Sequence, residues 1–335
     1  DVVPALENFG FRVIEEVPTA LDGGASGYIH DFQLARMDGE EAEELINRAD
    51  TIEQALACVL MGESENDSFN QLIVSAGLDP KSIVWLRAWF RYLRQAGLTY
   101  GMDTVVAAMR NARTITEGLI GLFVALHDPK QHSDKAAAKA RDVIDTGLAH
   151  VKGVDDDRIL RTTRAVIEAT LRTNAFADSA NEALAFKIDS SLVPGLPKPL
   201  PWREIWVYSP RLEGIHLRSG PVARGGLRWS DRRDDFRTEI LGLMKAQRVK
   251  NAVIVPAGAK GGFYPKQLPN PAVDRDAWFN EGKESYRVFI RTLLSVTDNI
   301  VSGKVVHPAN VVIRDEEDPY FVVAADKGTA TFSDV

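Results

Sequence analysis

The period of the hydrophobic pattern changes at one place, the run VPGLPKPLPW over residues 193–202. Ahead of it, from about Asp38 to Ala185, apolar residues recur at i, i+3 and i+4, the spacing of one helix face. Behind it, short apolar runs alternate with longer helical ones, the pattern of strands and helices that share a sheet. Pro194, Pro197, Pro199 and Pro201 lie inside the run. Each fixes φ and withdraws an N–H, so the segment reads as a stiff connector and a domain boundary.

Four regions follow. Residues 1–37 read as helix, strand, strand (VVPALENFGF, FRVIEEVPTA, then YIHDFQLAR beyond a Gly23–Gly24 turn), a partial α+β unit too short to bury a sheet face alone. Residues 38–192 read as a helical bundle. DGEEAEELINRADTIEQALACVLMG opens it, and KSIVWLRAWFRYLRQAGL follows Pro80 with Trp85, Trp89 and Tyr92 on a helical period. TITEGLIGLFVALH and DRILRTTRAVIEATLRTNAF continue it, without the fixed repeat of a solenoid. After the connector, residues 203–335 read as an α/β domain with a helix-covered mixed sheet. WREIWVYS and LEGIHLR are expected as paired strands, and SDRRDDFRTEILGLMKAQRVK as a helix capped by Ser230. NAVIVP reads as a buried strand, Asp274 to Asn299 as a helix, and NVVIR and YFVVA as short strands. The fold class is therefore mixed α+β and α/β.

A formal charge of −7 at pH 7 counts against a nucleic-acid or anionic-membrane surface. No run approaches the roughly 18–20 apolar residues of a membrane span. Cys58 is the single cysteine, which excludes a disulfide framework and a thiolate metal cluster, and fits a reducing, cytoplasmic setting. His30, His127, His132, His150, His216 and His307 show no ligand spacing, so no metal is expected. The chain starts with Asp1 and stops at FSDV, which reads as a piece of a longer polypeptide.

The chemistry concentrates in ARGGLRWSDRRDDFRTEILGLMKAQRVKNAVIVPAGAKGGF, residues 223–263. Arg224 and Arg228 flank Gly225–Gly226, placing two guanidinium forks beside bare backbone, a pairing suited to carboxylate. Gln247 and Lys250 fall at i, i+3 on one helix face. Lys260 stands among Gly258, Gly261 and Gly262, as if neighbouring side chains were cleared for a ligand. The pieces together form a cradle for a small dianion with one amine over its reacting centre. GAKGG is not a phosphate-binding P-loop, which requires GxxxxGK followed by Ser or Thr.

In that order, RGGLR, QRVK and PAGAKGG resemble the substrate-binding segment of glutamate dehydrogenases, above all the large NAD-dependent bacterial class. VVAADKG and the run ADKGTATFSD extend the likeness. The resemblance implies oxidative deamination of L-glutamate to 2-oxoglutarate and ammonia. It implies that Gly226, Gln247 and Lys250 hold the α-carboxylate, and that Lys260 is the catalytic lysine with Asp326 as its acid–base partner. Arg224 stands where small members of the family have a lysine that meets the side-chain carboxylate. The resemblance also implies NAD as cofactor, a homo-oligomeric full-length protein, and residues 203–335 as the substrate-binding catalytic domain. A lysine serves such a reaction as base only where its pKa falls from about 10.4 towards neutrality.

No GxGxxG at a strand-to-helix junction occurs in the chain, so the nucleotide domain is expected outside it, and the isolated chain is expected to be inactive. The competing reading is a regulatory or oligomerisation module with no chemistry of its own. A nucleic-acid role for RGGLRWSDRR is opposed by the acidic charge.

Overall fold

Glycines with positive φ, Gly10, Gly62, Gly77 and Gly97, follow the ends of four helices in the first hundred residues. The computed structural model describes residues 2–21, 27–37, 43–250, 257–326 and 328–335, with residues 43–44 and 248–250 described by their backbone. The expected Gly23–Gly24 turn and the NAVIVP strand lie outside the described residues. The chain divides into two compact units, Asp1–Arg87 with Gly101–Arg113, and Ala88–Tyr100 with Thr114–Val335.

In the first unit, α1 (Val3–Asn8) starts on Pro4, and Gly10 at φ +90° turns the chain into β1 (Phe11–Ala20). That strand pairs antiparallel with β2 (Tyr28–Arg36), with a register shift between Val13 and Glu15. Ala5, Leu6, Phe9 and Phe11 are buried at the base of this hairpin, while most of its length is exposed. The expected first helix is split into α2 (Glu43–Ile46) and α3 (Ala49–Leu60). Next come α4 (Gln71–Ser75), α5 (Pro80–Gln95), which continues into the second unit, and α6 (Met102–Asn111). Buried Arg87 is held by Asp67 at 2.7 and 2.9 Å and by Asn70 at 2.7 Å.

The second unit adds α7 (Arg113–His127, from Thr114 on), α8 (Asp134–Leu148) and α9 (Val154–Ala169) to a sheet. Its strands are β3 (Thr170–Thr173), β4 (Leu184–Ile188), β5 (Arg203–Tyr208), β6 (Leu212–Arg218) and β7 (Arg224–Trp229). After α10 (Phe236–Lys250) come β8 (Ala259–Pro265) and α11 (Arg275–Leu294). A small hairpin of β9 (Asn299–Val301) and β10 (Lys304–Val306) precedes β11 (Val322–Ala325). The sheet runs β11-β7-β8-β6-β5-β4-β3. β11, β7 and β8 are parallel neighbours, and the pairs from β8 to β3 are antiparallel.

Side-chain alternation gives the sheet two different faces. On one, α11 lays Phe289 into the space left by Gly214, and Trp229 fills the space left by Gly282. Burying a side chain such as Phe289 contributes about 1.5–3 kcal/mol. On the other face, Ile240 of α10 occupies the place a side chain on Gly262 would take. There Trp206 stacks on Phe236, with its indole N–H donating to the Ala88 carbonyl at 3.0 Å. Trp89 and Tyr92 are fully buried.

Four expectations are corrected. The proline-rich run 193–202 joins β4 to β5, antiparallel partners in one sheet, so the sheet begins upstream of it. TLRT, absorbed into a helix by the sequence reading, is β3, because Thr170 leaves the helical conformation and pairs with β4. Ser230 does not cap α10, which begins at Phe236. The Ser230 hydroxyl donates instead to Glu239 at 2.7 Å and accepts the Arg232 N–H. NVVIR is not a strand. It runs past β3, where Arg314 N–H donates to Leu171 O at 3.2 Å, and the flanking Asp315 and Asp318 carboxylates engage Arg172, Lys187 and Arg218.

Candidate active site

Lys260 is the second residue of β8, a strand with neighbours on both sides, and it is 3% exposed. Lys260 and the glycines that follow it are therefore strand. Its ammonium pairs directly with the Asp326 carboxylate, just past the end of β11. Asp326 keeps 40% of its side chain exposed. The lysine is thus buried while its partner reaches solvent, an arrangement that can pass a proton between a covered amine and an incoming substrate.

Thr329, fully buried, fixes the turn that carries Asp326. Its hydroxyl accepts the Asp326 N–H at 2.9 Å and donates to the Leu227 carbonyl of β7 at 2.9 Å. The turn is thereby tied to the strand beside Lys260.

The glycine collar has a packing role. A Cβ on Gly261 would stand 2.4 Å from Leu227 and 3.0 Å from His216, and one on Gly225 would stand 1.5 Å from the Ala259 carbonyl oxygen. With Ile240 beneath Gly262, three of these glycines let strands and helices approach each other. Gly226 instead faces the partner of Lys260, its absent Cβ falling 2.5 Å from the Asp326 Cβ. Gly226 lies opposite Ala324 in β11.

Arg224 begins β7 and donates from Nε to the Tyr320 hydroxyl at 3.0 Å. Arg228 is held by Glu239 at 3.1 Å, the same carboxylate that takes the Ser230 hydroxyl, so its fork serves an internal pair. Gln247 is half-buried on α10, and Lys250 ends that helix with its side chain outside the described residues. Arg237 on α10 is fully buried in a fork with Glu204 at 2.9 and 3.1 Å.

Sequence reasoning thus brought Lys260, Asp326 and Gly226 to one place, with Arg224 farther along the same strand as Gly226. It missed Thr329, Glu239 and Tyr320. Only Tyr320 carried a signal: its parity on the strand leading to Asp326 matches that of Asp326 itself. Among the described residues, no group of three or more His, Cys, Asp or Glu is placed to hold a metal ion, and no helix is long and apolar enough to cross a membrane.

A buried lysine paired with a partly exposed aspartate at the end of parallel strands is suited to acid–base chemistry, and the known proteins that this chain is similar to are enzymes. Residues 143–335 match the family described as bacterial NAD-glutamate dehydrogenase, catalytic domain. Residues 64–129 match glutamate dehydrogenase helical motif 3, and residues 1–46 match the glutamate dehydrogenase ACT3 domain. Over its whole length the chain is 49% identical to the NAD-specific glutamate dehydrogenase of Halomonas elongata. It is 45% identical to that of Pseudomonas aeruginosa and 44% to that of Mycobacterium tuberculosis. The chain belongs to the bacterial NAD-glutamate dehydrogenase family, and it spans 21–22% of the length of these curated relatives.

Proposed function

We propose that this chain is the substrate-binding and catalytic portion of an enzyme that oxidatively deaminates L-glutamate to 2-oxoglutarate and ammonia. The observation that carries the reading is the pairing of buried Lys260 with Asp326 beside Gly226, which has no side chain to come between them. Gly226, Gln247 and Lys250 hold the substrate α-carboxylate, and Arg224 meets the side-chain carboxylate. Lys260 and Asp326 then move protons to and from the amine, the imine formed by loss of hydride, and the hydroxyl of the water adduct. Burial of Lys260 among sheet residues keeps bulk water from that exchange.

NAD is the oxidant named for the relatives. The described residues do not fit a dinucleotide: the glycines of β7 and β8 face Ala259, Asp326, Leu227 and Ile240, and none opens on a helix N-terminus. NAD is bound mainly by a part of the protein outside this chain, and the chain alone does not turn over glutamate. Cytoplasmic residence and homo-oligomeric assembly belong to the same proposal. The single free cysteine supports the first, and the exposed Tyr28, Ile29 and Leu34 of the β1–β2 hairpin support the second.

In the full-length enzyme, Lys260→Ala is expected to lower kcat by about 10²–10⁴-fold, the usual worth of a positioned acid–base group, with the fold retained. Activity within tenfold of the parent, by NADH formation with glutamate, would sink the role given to Lys260.

A further inference from the structure

We propose that Tyr320 is a specificity-determining positioning residue, which aims Arg224 at the distal carboxylate of the substrate. The inference rests on the glutamate reading above and deepens it. A guanidinium offers two bidentate edges, Nε with one Nη, or the two Nη groups together. This protein repeatedly grips its own carboxylates by the first edge. Arg91 on Glu213, Arg141 on Glu168 and Arg211 on Glu281 all donate from Nε and Nη2. Arg224 departs from that habit. Its Nε–H goes to the phenol oxygen of Tyr320, which carries no charge to neutralise it, and among the described residues no carboxylate pairs with it. The side-on edge is occupied, the end-on edge of two Nη groups remains, and the positive charge is uncompensated on an exposed side chain.

The spacing suits a five-carbon dicarboxylate. Arg224 and Gly226 stand on one face of β7, two residues or about 6.6 Å apart along the strand. Opposite them Val322 and Ala324 are exposed, as Arg224 is, while Gly226 is buried beside Asp326. The end carbons of an extended five-carbon diacid lie roughly 5 Å apart, four bonds of about 1.52 Å. A substrate whose α-carboxylate lies at Gly226, with its reacting carbon beside Asp326 and Lys260, therefore extends its far carboxylate towards Arg224. Without the Tyr320 hydroxyl, the Arg224 side chain turns freely and loses the orientation that makes the contact bidentate.

The test is steady-state kinetics of the full-length enzyme with glutamate and with norvaline, which keeps the chain length and replaces the distal carboxylate with a methyl. Tyr320→Phe is expected to raise the KM for glutamate about tenfold, the worth of one oriented charge-assisted hydrogen bond. The kcat for glutamate and the kcat/KM for norvaline are expected to stay within about twofold. Arg224→Ala serves as the reference. If it removes the preference for glutamate while Tyr320→Phe leaves the ratio of the two substrates unchanged, or lowers both equally, the role of Tyr320 is overturned and the glutamate site stands. If Arg224→Ala leaves the ratio unchanged too, the distal subsite is overturned with it. A parent enzyme that does not oxidise glutamate overturns the functional reading itself.

Discussion

A methyl group on Gly225 would meet the Ala259 carbonyl oxygen at 1.5 Å, and that oxygen belongs to a strand which cannot retreat without parting β7 from β8. On the next residue, Gly226, the same methyl would meet the Asp326 Cβ at 2.5 Å and its Oδ2 at 2.9 Å, atoms of a side chain that can rotate away. The two alanine variants should therefore fail differently. Gly225→Ala is expected to cost at least about 3 kcal/mol, as overpacking against backbone does, and to lower the urea midpoint steeply. Gly226→Ala should keep that midpoint and lose about 100-fold in kcat, because a catalytic group pushed aside by an ångström loses that much. Full activity in Gly226→Ala would argue that Asp326 is not the partner of Lys260 in turnover. The sequence displays the glycines but not the atoms facing them, and so a packing requirement read as clearance for a ligand.

Along β6, His216 and Arg218 stand at the inner side of a buried ionic cluster. Arg218 grips Asp318, Lys187 bridges Asp315 and Asp318, and Arg172 holds Asp298 and Asp315. Burial, with the Arg218 charge adding to it, pushes the His216 pKa down to about 3, and burial lowers His127 in the same direction. Unfolded histidine titrates near 6.5, so below that pH the unfolded chain binds protons that the folded chain refuses. Stability is therefore full above about pH 6.5 and declines as pH falls towards 3. Asp298 acts lower down. Burial opposes its ionisation, but hydrogen bonds from Arg172, the Asp318 N–H and His307 outweigh it and hold the carboxyl at about 2. That contribution persists to about pH 4, the unfolded value, and is lost as pH falls towards 2. Urea midpoints should thus already fall with acid between pH 7 and 5, above the range in which Asp298 titrates. His216→Leu should flatten that slope by up to about 1.4 kcal/mol per pH unit; an unchanged slope would mean His216 is protonated in the folded state. Elements of this kind were legible where period was strong, as in β5, β6, α5 and α11, with Asp274 capping α11. The β9–β10 hairpin is signalled only by Ser302–Gly303, both at positive φ between Val301 and Lys304. β3 was hidden because it follows α9 with no turn residue between them.

Across the whole molecule the two units differ in what their strands can rely on. The second unit's sheet has seven strands with α11 on one face and α10 on the other, and Leu227, Phe263, Phe289 and Leu293 form part of one buried core. The first unit's sheet is the two-stranded β1–β2 hairpin, whose Ile14, Val17, Tyr28, Ile29 and Leu34 are exposed. Two strands alone are marginal in water, and stability usually requires a third strand or a packed helix. The sequence disclosed this hairpin through its alternation but disclosed nothing of the division into units. The units change inside α5, between Arg87 and Ala88, and at the start of α7, between Arg113 and Thr114, where no glycine- or proline-rich run stands. That partition follows from long-range packing, which local composition does not encode. Amide hydrogen exchange on this chain should accordingly be graded rather than uniform. Hydrogen-bonded amides of β1 and β2 are expected to exchange by local opening, at least about 100-fold faster than those of β5, β6 and β8, which are held to the global unfolding limit. Equal protection in the hairpin and the sheet would mean that the exposed apolar residues of the hairpin are covered in solution. In that event protection should fall on dilution if a second copy is the cover, and should not change if the cover is a segment of the same chain.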